Sequence, residues 1–325
     1  MILTIEKALK LINKEIGSYN YGQEPKELYE PISYLMGLGG KRMRPLLAVL
    51  SHHLFSDEVE KVLKPAMAIE VFHNFTLMHD DIMDKAPLRR GNATVHEKWN
   101  ENIAILSGDV MLVRAYDLML TVDSNILKRS LELFNKVAAE VCEGQQLDMN
   151  FETREKVSIE EYISMIRLKT AVLLGFSLEL GGLVGGASEK NQALLKEFGD
   201  NLGIGFQLMD DLLDVYGDMS KFGKATGGDI IANKKTYLLI NALQKAKGAD
   251  AKKLQSLIES KSIDSITKIK EVTAIYNKLE IKSLTELKIS EYFDIAFKKL
   301  DQIDATLYKK NIMKDFLKQL AQREN

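Results

Sequence analysis

The chain has 325 residues, 46% of them apolar and 28% charged, with a formal net charge of -2 at pH 7 and a single cysteine. That balance exerts no global pull toward nucleic acid or an anionic membrane, and one cysteine excludes an internal disulfide. No apolar run approaches the roughly 20 residues needed to span a bilayer, and the alternating apolar and charged residues of Met1–Lys10 do not read as a signal peptide, so a soluble cytoplasmic protein is expected.

The only prolines are Pro25, Pro31, Pro45, Pro65 and Pro87, so long helices after Pro87 meet no proline break. Gly39-Gly40-Lys41-Arg42-Met43-Arg44-Pro45 sets three cations beside two glycines. Ala68, Val71, Phe72, Phe75 and Met78 then recur at helical spacing, with Pro65 expected in the first turn of that helix. The stretch closes on Asp80-Asp81-Ile82-Met83-Asp84, and Pro87-Leu88-Arg89-Arg90-Gly91 follows at once. Cys142 has no catalytic signature around it and is read as packing. Lys169-Thr170 follows an apolar helix, and the glycines at 181, 182, 185 and 186 suit a helix end and a turn. Ser188 is placed to cap a helix starting near Glu189, whose apolar face runs through Leu194, Leu195, Phe198, Leu202, Phe206, Met209 and Leu213. Inside it, Gly199, Gly203 and Gly205 each cost about 1 kcal/mol relative to alanine, which points to close helix packing. That helix reaches Asp210-Asp211-Leu212-Leu213-Asp214, followed by Gly223-Lys224 and Asn233-Lys234-Lys235-Thr236. With β-branched runs scarce and no linker rich in Pro, Gly or Ser, the chain reads as one all-α domain spanning 1–325.

The two DDxxD clusters carry the chemistry. Positions i and i+4 share a helix face, so Asp80 projects with Asp84 and Asp210 with Asp214. Carboxylates crowded into one turn repel each other, and a divalent cation relieves that repulsion. Oxygen donors with no histidine or thiol suit a hard ion such as Mg²⁺, which keeps several waters and bridges a few carboxylates to substrate phosphates. One such motif alone is more commonly a solvated helix face. Two copies about 130 residues apart, both closing apolar helices, suggest facing helices with metals between them.

The cations supply the complement. Arginine forks match phosphate oxygens and lysine gives a point charge; taken singly each is more often a surface charge, but Arg89-Arg90-Gly91 so near Asp84 could grip a metal-bound diphosphate. No GxxxxGK[ST] or strand-linked GxGxxG is present, so the nucleotide cradles are missing while a phosphorylated substrate is implied. His73 is read either as a helix histidine with a hydrogen-bond partner or as a phosphate contact; His52, His53 and His96 have no metal-ligand spacing.

These strings, with Gly-Gln-Gln-Leu-Asp, Phe-Gln-Leu-Met-Asp-Asp-Leu-Leu-Asp and Gly-Lys-Ala-Thr-Gly-Gly-Asp-Ile, occur in the order seen in the trans-isoprenyl diphosphate synthase (polyprenyl synthetase) family, which the chain resembles from about Gly39 to Tyr237. The resemblance implies a bundle of long helices around a central cavity, a homodimer, and the two aspartate motifs facing each other across the cavity mouth. It implies that Asp80, Asp84 and Asp210 coordinate three Mg²⁺ ions on the allylic diphosphate, supported by Asp81 and Asp214, with Asp211 completing the second catalytic motif. Arg89, Lys169, Gln207 and Lys224 would hold the same diphosphate, with Lys234 further out, and Lys41, Arg44, His73 and Arg90 would hold isopentenyl diphosphate without metal. Thr170 and Gln145 would lie near the reacting carbons, and Asp148 would brace the lysine side. After about Lys247 nothing is carried over.

The expected reaction is head-to-tail condensation of isopentenyl diphosphate with dimethylallyl, geranyl or farnesyl diphosphate. On a helix Phe75 lies five residues before Asp80 and Phe72 a turn deeper; with the small Thr76 beside Phe75 this resembles short-chain enzymes making fifteen- or twenty-carbon products, although a single Phe is also ordinary core. A class I terpene cyclase would not need Lys41, Arg44 and Arg90, and a non-catalytic partner subunit would tolerate incomplete aspartate motifs. The primer, the exact product, the pathway and the base for the final deprotonation are not legible.

Overall fold

The computed structural model describes residues 3–217, 226–260 and 262–323. In chain order the helices are α1 (Ile5–Ser18), α2 (Lys26–Gly37), α3 (Met43–Phe55), α4 (Glu60–Met83), α5 (Val95–Lys98), α6 (Glu101–Met119), α7 (Ser124–Thr153) and α8 (Ile159–Ile166). A π-helical turn, Arg167–Ala171, leads into α9 (Val172–Val184), α10 (Glu189–Tyr216), α11 (Gly228–Ile231), α12 (Tyr237–Lys245), α13 (Gly248–Glu259), α14 (Ser265–Lys278), α15 (Ile281–Gln302) and α16 (Leu307–Arg323). The all-α expectation holds, with one addition. Leu88–Arg89 (β1) and Asn92–Ala93 (β2) form an antiparallel hairpin. Its turn, Arg90-Gly91, has φ of 54° and 76°, the pair of positive values that a two-residue hairpin loop requires. Four strand residues are too few to register as a period of two. Among the described residues no helix is long and apolar enough to cross a membrane.

Backbone contacts divide the chain into two compact units. Unit 1 takes residues up to Asn135, Phe176–Leu195 and Ile303–Met313; unit 2 takes Lys136–Gly175, Lys196–Gln302 and the residues from Lys314.

In unit 1, α4 packs against α1, α2, α3, α5 and α6. Every residue from Ala66 to Phe72 is buried, so α4 is enclosed on all sides rather than on one apolar face. Pro65 lies six residues into α4, not in its first turn, because the helix begins earlier, at Glu60. The helix stops in a Schellman arrangement: Lys85 takes φ of 49°, its N–H donates to the Ile82 carbonyl, and the Ala86 N–H donates to the Asp81 carbonyl at 2.9 Å. On α3, the Ser51 hydroxyl donates to the Leu178 carbonyl at 2.6 Å, tying α3 to the unit 1 part of α9.

In unit 2 the interior glycines of α10 do what their cost suggested. A Cβ on Gly199 would come within 2.6 Å of the Gly175 Cα, and one on Gly203 within 2.5 Å of the Ala171 Cα, so α10 lies directly against the chain that carries the π turn. The start of α10 belongs to unit 1, where Ser188 caps it by accepting from the Asn191 N–H at 3.3 Å. Cys142, expected as packing, is instead exposed on α7: its neighbours Val141 and Gly144 are buried and take the inward face. Helices α11 to α15 pack on one another and supply Phe293, which meets Phe206 of α10 edge-on at 5.4 Å.

Candidate active site

The first acidic motif occupies the last turn of α4. There the helix ends in partial negative charge, so three aspartates oppose both one another and the helix dipole. The motif resolves the conflict unevenly. Asp81 turns inward, buried, and accepts two hydrogen bonds from the Arg89 fork, from Nε at 2.8 Å and from Nη2 at 2.6 Å. Asp84 is exposed and Asp80 half-buried, one turn apart on the outer face. The hairpin that returns Arg89 to Asp81 is held by the Thr94 hydroxyl, which donates to the Ala86 carbonyl at 2.7 Å.

A basic cluster lies beside it in unit 1. Gly39 and Gly40 have φ of 78° and 141°, values an L side chain rarely adopts, and a Cβ on Gly40 would press within 3.0 Å of the Arg90 guanidinium. The bare backbone lets Arg90 donate to the Gly39 carbonyl. Arg44 Nη1 lies 3.0 Å from His73 Nε2. Burial holds the His73 pKa well below its ordinary value, and Arg44, Arg90, Arg89 and Arg42 push the same way. His73 is therefore neutral at pH 7, and since a guanidinium has no acceptor, Arg44 donates and Nε2 accepts. Burial also lowers the Arg90 pKa. Arg42, between the exposed Lys41 and the half-buried Arg44, is turned into the protein. It is 6% exposed, adopts φ of 48°, pairs with Glu70 at 2.6 Å and donates to the Met36 carbonyl at 2.7 Å. Glu70 was missed because a lone Glu in an apolar helix carries no sequence signal.

Below the first motif, Phe75 lies 4.7 Å from the His79 ring and 5.7 Å from Phe72, and Phe72 meets Phe134 edge-on at 5.3 Å. Thr76 donates its hydroxyl to the His73 carbonyl at 2.8 Å.

The second acidic motif, in the last two turns of α10, is organised within unit 2. Asp211 is buried and uses both oxygens inside the protein: Tyr162 donates to Oδ2, and Gln207 donates to Oδ1 at 3.1 Å. Burial, with the Asp229 charge beside it, pushes Asp211 up to about 7 against those two hydrogen bonds. Burial raises Asp229 as well, opposed by Lys234. Asp214 accepts from the Asp229 N–H, in the first turn of α11, at 2.9 Å, while Asp210 is exposed. On the π turn, Thr170 donates to Gln207 at 3.0 Å, and Lys169 Nζ donates to Asp148 at 2.5 Å. Lys234 reaches the same Asp148 at 4.0 Å. Gln145 is buried on α7 beside Gly144, whose missing Cβ admits the Lys169 backbone. Lys224 lies outside the described residues. Tyr162 and Asp229 were not singled out from sequence; an isolated Tyr on an amphipathic helix looks like core.

The donor set fits Mg²⁺. Among the described residues no three His, Cys, Asp or Glu side chains converge closely enough to cage a metal unaided. Magnesium does not require that, because it retains waters and takes phosphate oxygens alongside one or two carboxylates. Carboxylates stationed at negative helix ends, with Arg89, Lys169 and Lys234 nearby in their respective units, are a setting for metal-bridged phosphate.

Comparison with known proteins gives one answer. The family model for polyprenyl synthetase matches residues 25–277. The geranylgeranyl diphosphate synthase of Methanosarcina mazei is 42% identical over 228 residues, 70% of each chain. A short chain isoprenyl diphosphate synthase of Methanocaldococcus jannaschii is 38% identical over 81% of this chain and 80% of its own. A solved geranylgeranyl pyrophosphate synthase superposes with a TM-score of 0.95 at 40% identity, covering 100% of both chains. The expected resemblance is thereby established: the chain belongs to the polyprenyl synthetase family, as a short-chain trans-prenyltransferase that condenses isopentenyl diphosphate with allylic diphosphates.

Proposed function

We propose that this enzyme is a magnesium-dependent cytoplasmic homodimer that makes farnesyl or geranylgeranyl diphosphate, its 325 residues acting as one catalytic domain. The observation that carries the product assignment is the aromatic stack under the first motif. Phe75 lies five residues before Asp80, about 7.5 Å of helix rise, and rests on Phe72, which Phe134 backs. A tail growing back along α4 would reach the Phe75 ring first, with Phe72 and Phe134 stacked behind it. Relatives named for geranylgeranyl diphosphate support the same length. The family match spans residues 25–277, which supports a single domain. Exposed Ile105, Leu106 and Val113 on α6 give an apolar stripe suited to a second copy.

Magnesium, when bound, neutralises the charge that the leaving diphosphate gains as its C–O bond breaks. Asp80, Asp84 and Asp210 would supply carboxylate oxygens to three Mg²⁺ ions. Asp81, Asp211 and Asp214 hold those motifs in shape through Arg89, through Tyr162 with Gln207, and through the Asp229 backbone. Arg89, Lys169, Gln207 and Lys224 donate to the allylic diphosphate, with Lys234 further out and Asp148 bracing the lysines. Lys41, Arg44, His73 and Arg90 bind isopentenyl diphosphate, the neutral His73 fixing the Arg44 fork. Thr170 and Gln145 lie beside the reacting carbons. Phe72, Phe75 and their neighbours keep water from the allylic cation until the double bond attacks it. The departing diphosphate takes the proton that is lost. Product sizing tests the reading: the wild type should yield fifteen- or twenty-carbon diphosphates, and Phe75→Ala should lengthen them by at least one five-carbon unit. An unchanged length in that variant contradicts the floor.

A further inference from the structure

Asp211 is the middle carboxylate of the second motif, yet it is 5% exposed and both of its oxygens face protein. Successive residues on a helix point about 100° apart, so seating Asp211 inward turns its neighbour Asp210 outward. The partner that seats it, Tyr162, is 2% exposed and comes from α8. A capping box fixes the first turn of α8 just ahead of this residue: Glu161 N–H donates to the Ser158 hydroxyl at 3.1 Å, and Ser158 N–H donates to the Glu161 carboxylate at 2.9 Å. From Asp211 the chain of hydrogen bonds continues through Gln207, at 3.1 Å, to Thr170, at 3.0 Å. Thr170 sits on the π turn, a backbone irregularity of the kind concentrated at functional sites.

We infer that Tyr162 is a positioning residue for the prenyl-transfer reaction: by donating to Asp211 it seats the carboxylate that orients Gln207 and, through it, Thr170, while turning Asp210 to the outer face of α10. The inference rests on the proposed roles of Asp210 and Thr170. Tyr162 is buried and acts through Asp211. Its hydroxyl donates to Oδ2 and leaves Oδ1 to accept from Gln207, which fixes the direction of the Gln207 amide. One N–H of Gln207 Nε2 goes to Asp211 and Oε1 accepts from the Thr170 hydroxyl, which leaves the second N–H for the diphosphate.

The test is Tyr162→Phe, which keeps the ring and removes the hydroxyl. The variant should melt cooperatively with native circular dichroism. Its kcat should fall about tenfold or more, the usual effect of removing an outer support of a metal site. The KM for isopentenyl diphosphate, whose proposed contacts all lie in unit 1, should stay unchanged. By calorimetry, Mg²⁺-dependent binding of inorganic diphosphate should weaken by a similar factor. Combined with Gln207→Leu, the loss should be no greater than that of the worse single variant, since both cut one relay. If Tyr162→Phe does not fold, Asp211→Asn, which still accepts from Tyr162, should show the same kcat loss and the same non-additivity with Gln207→Leu. Wild-type kcat and diphosphate binding, or losses that simply add, would overturn the inference. Asp210→Ala separates the two levels. Turnover surviving that change would defeat the functional reading and the relay with it, whereas a dead Asp210→Ala beside a normal Tyr162→Phe would defeat the relay alone.

Discussion

Replacing Glu70 with Ala should cost the protein about 3–5 kcal/mol, because it strands a buried guanidinium. Arg42 and Glu70 meet at 2.6 Å with side chains 6% and 3% exposed, so water screens the pair little and cannot replace the missing partner. Arg42 would keep the Met36 carbonyl at 2.7 Å, and Asn74 would lose its 3.4 Å contact to the Glu70 carboxylate. Arg42 also holds φ of 48°, a conformation that costs roughly 1–2 kcal/mol and persists because both terminal guanidinium nitrogens are held, by Glu70 and by the Met36 carbonyl. A domain commonly has about 5–15 kcal/mol of stability in total, so the loss should be plain in urea titrations as a lower midpoint. Glu70→Gln retains an acceptor and should lose roughly 1–3 kcal/mol. Arg42→Met with Glu70→Leu, which removes both charges, should recover most of the deficit. Because Arg42 lies between Lys41 and Arg44, Glu70→Ala should also raise the KM for isopentenyl diphosphate more than that for the allylic substrate. A Glu70→Ala protein within about 1 kcal/mol of the wild type would mean the pair behaves like a surface salt bridge and would refute the reasoning.

Asp80→Ala should abolish turnover while leaving the circular dichroism spectrum and melting profile native; normal activity would remove the metal assignment. Gly203→Val should disrupt the π turn, since even a Cβ there would meet the Ala171 Cα at 2.5 Å, and activity should fall with at least about 1–3 kcal/mol of stability. Asp200 has a raised pKa, chiefly from burial, despite its 2.6 Å bond to Lys196. A carboxyl raised on folding stabilises most below its unfolded pKa and loses that contribution as pH rises through the folded value. Asp200→Asn should therefore gain stability relative to the wild type at pH 7 and lose the advantage below about pH 4, as measured by urea midpoints across pH. Leu106→Glu on the exposed face of α6 should shift the sedimentation coefficient from dimer toward monomer.

Long elements were legible because their signals repeat. The apolar spacing of α10, its cap at Ser188 and its costly glycines are each local, and all three agree with the structure. Both acidic motifs could be read because carboxylates at i and i+4 are conspicuous against apolar helices. What stayed hidden depends on partners far apart in sequence. Arg42 looked like Lys41 and Arg44, and only the fold shows that Glu70, 28 residues away, removes it from the surface. Tyr162 lies 49 residues from Asp211 and resembled any half-apolar helix residue. Cys142 faces outward because α7 commits its Gly144 and Gln145 face to packing, a choice its composition does not reveal.

The most direct measurement of the central claim is to incubate the protein with isopentenyl diphosphate and dimethylallyl, geranyl or farnesyl diphosphate, with Mg²⁺ and with chelator, and to identify products by mass. Linear diphosphates longer by five-carbon units, formed only with Mg²⁺ and ending at fifteen or twenty carbons, are the predicted result. Consumption of the allylic substrate alone to give a hydrocarbon, or no turnover with any primer, would contradict it.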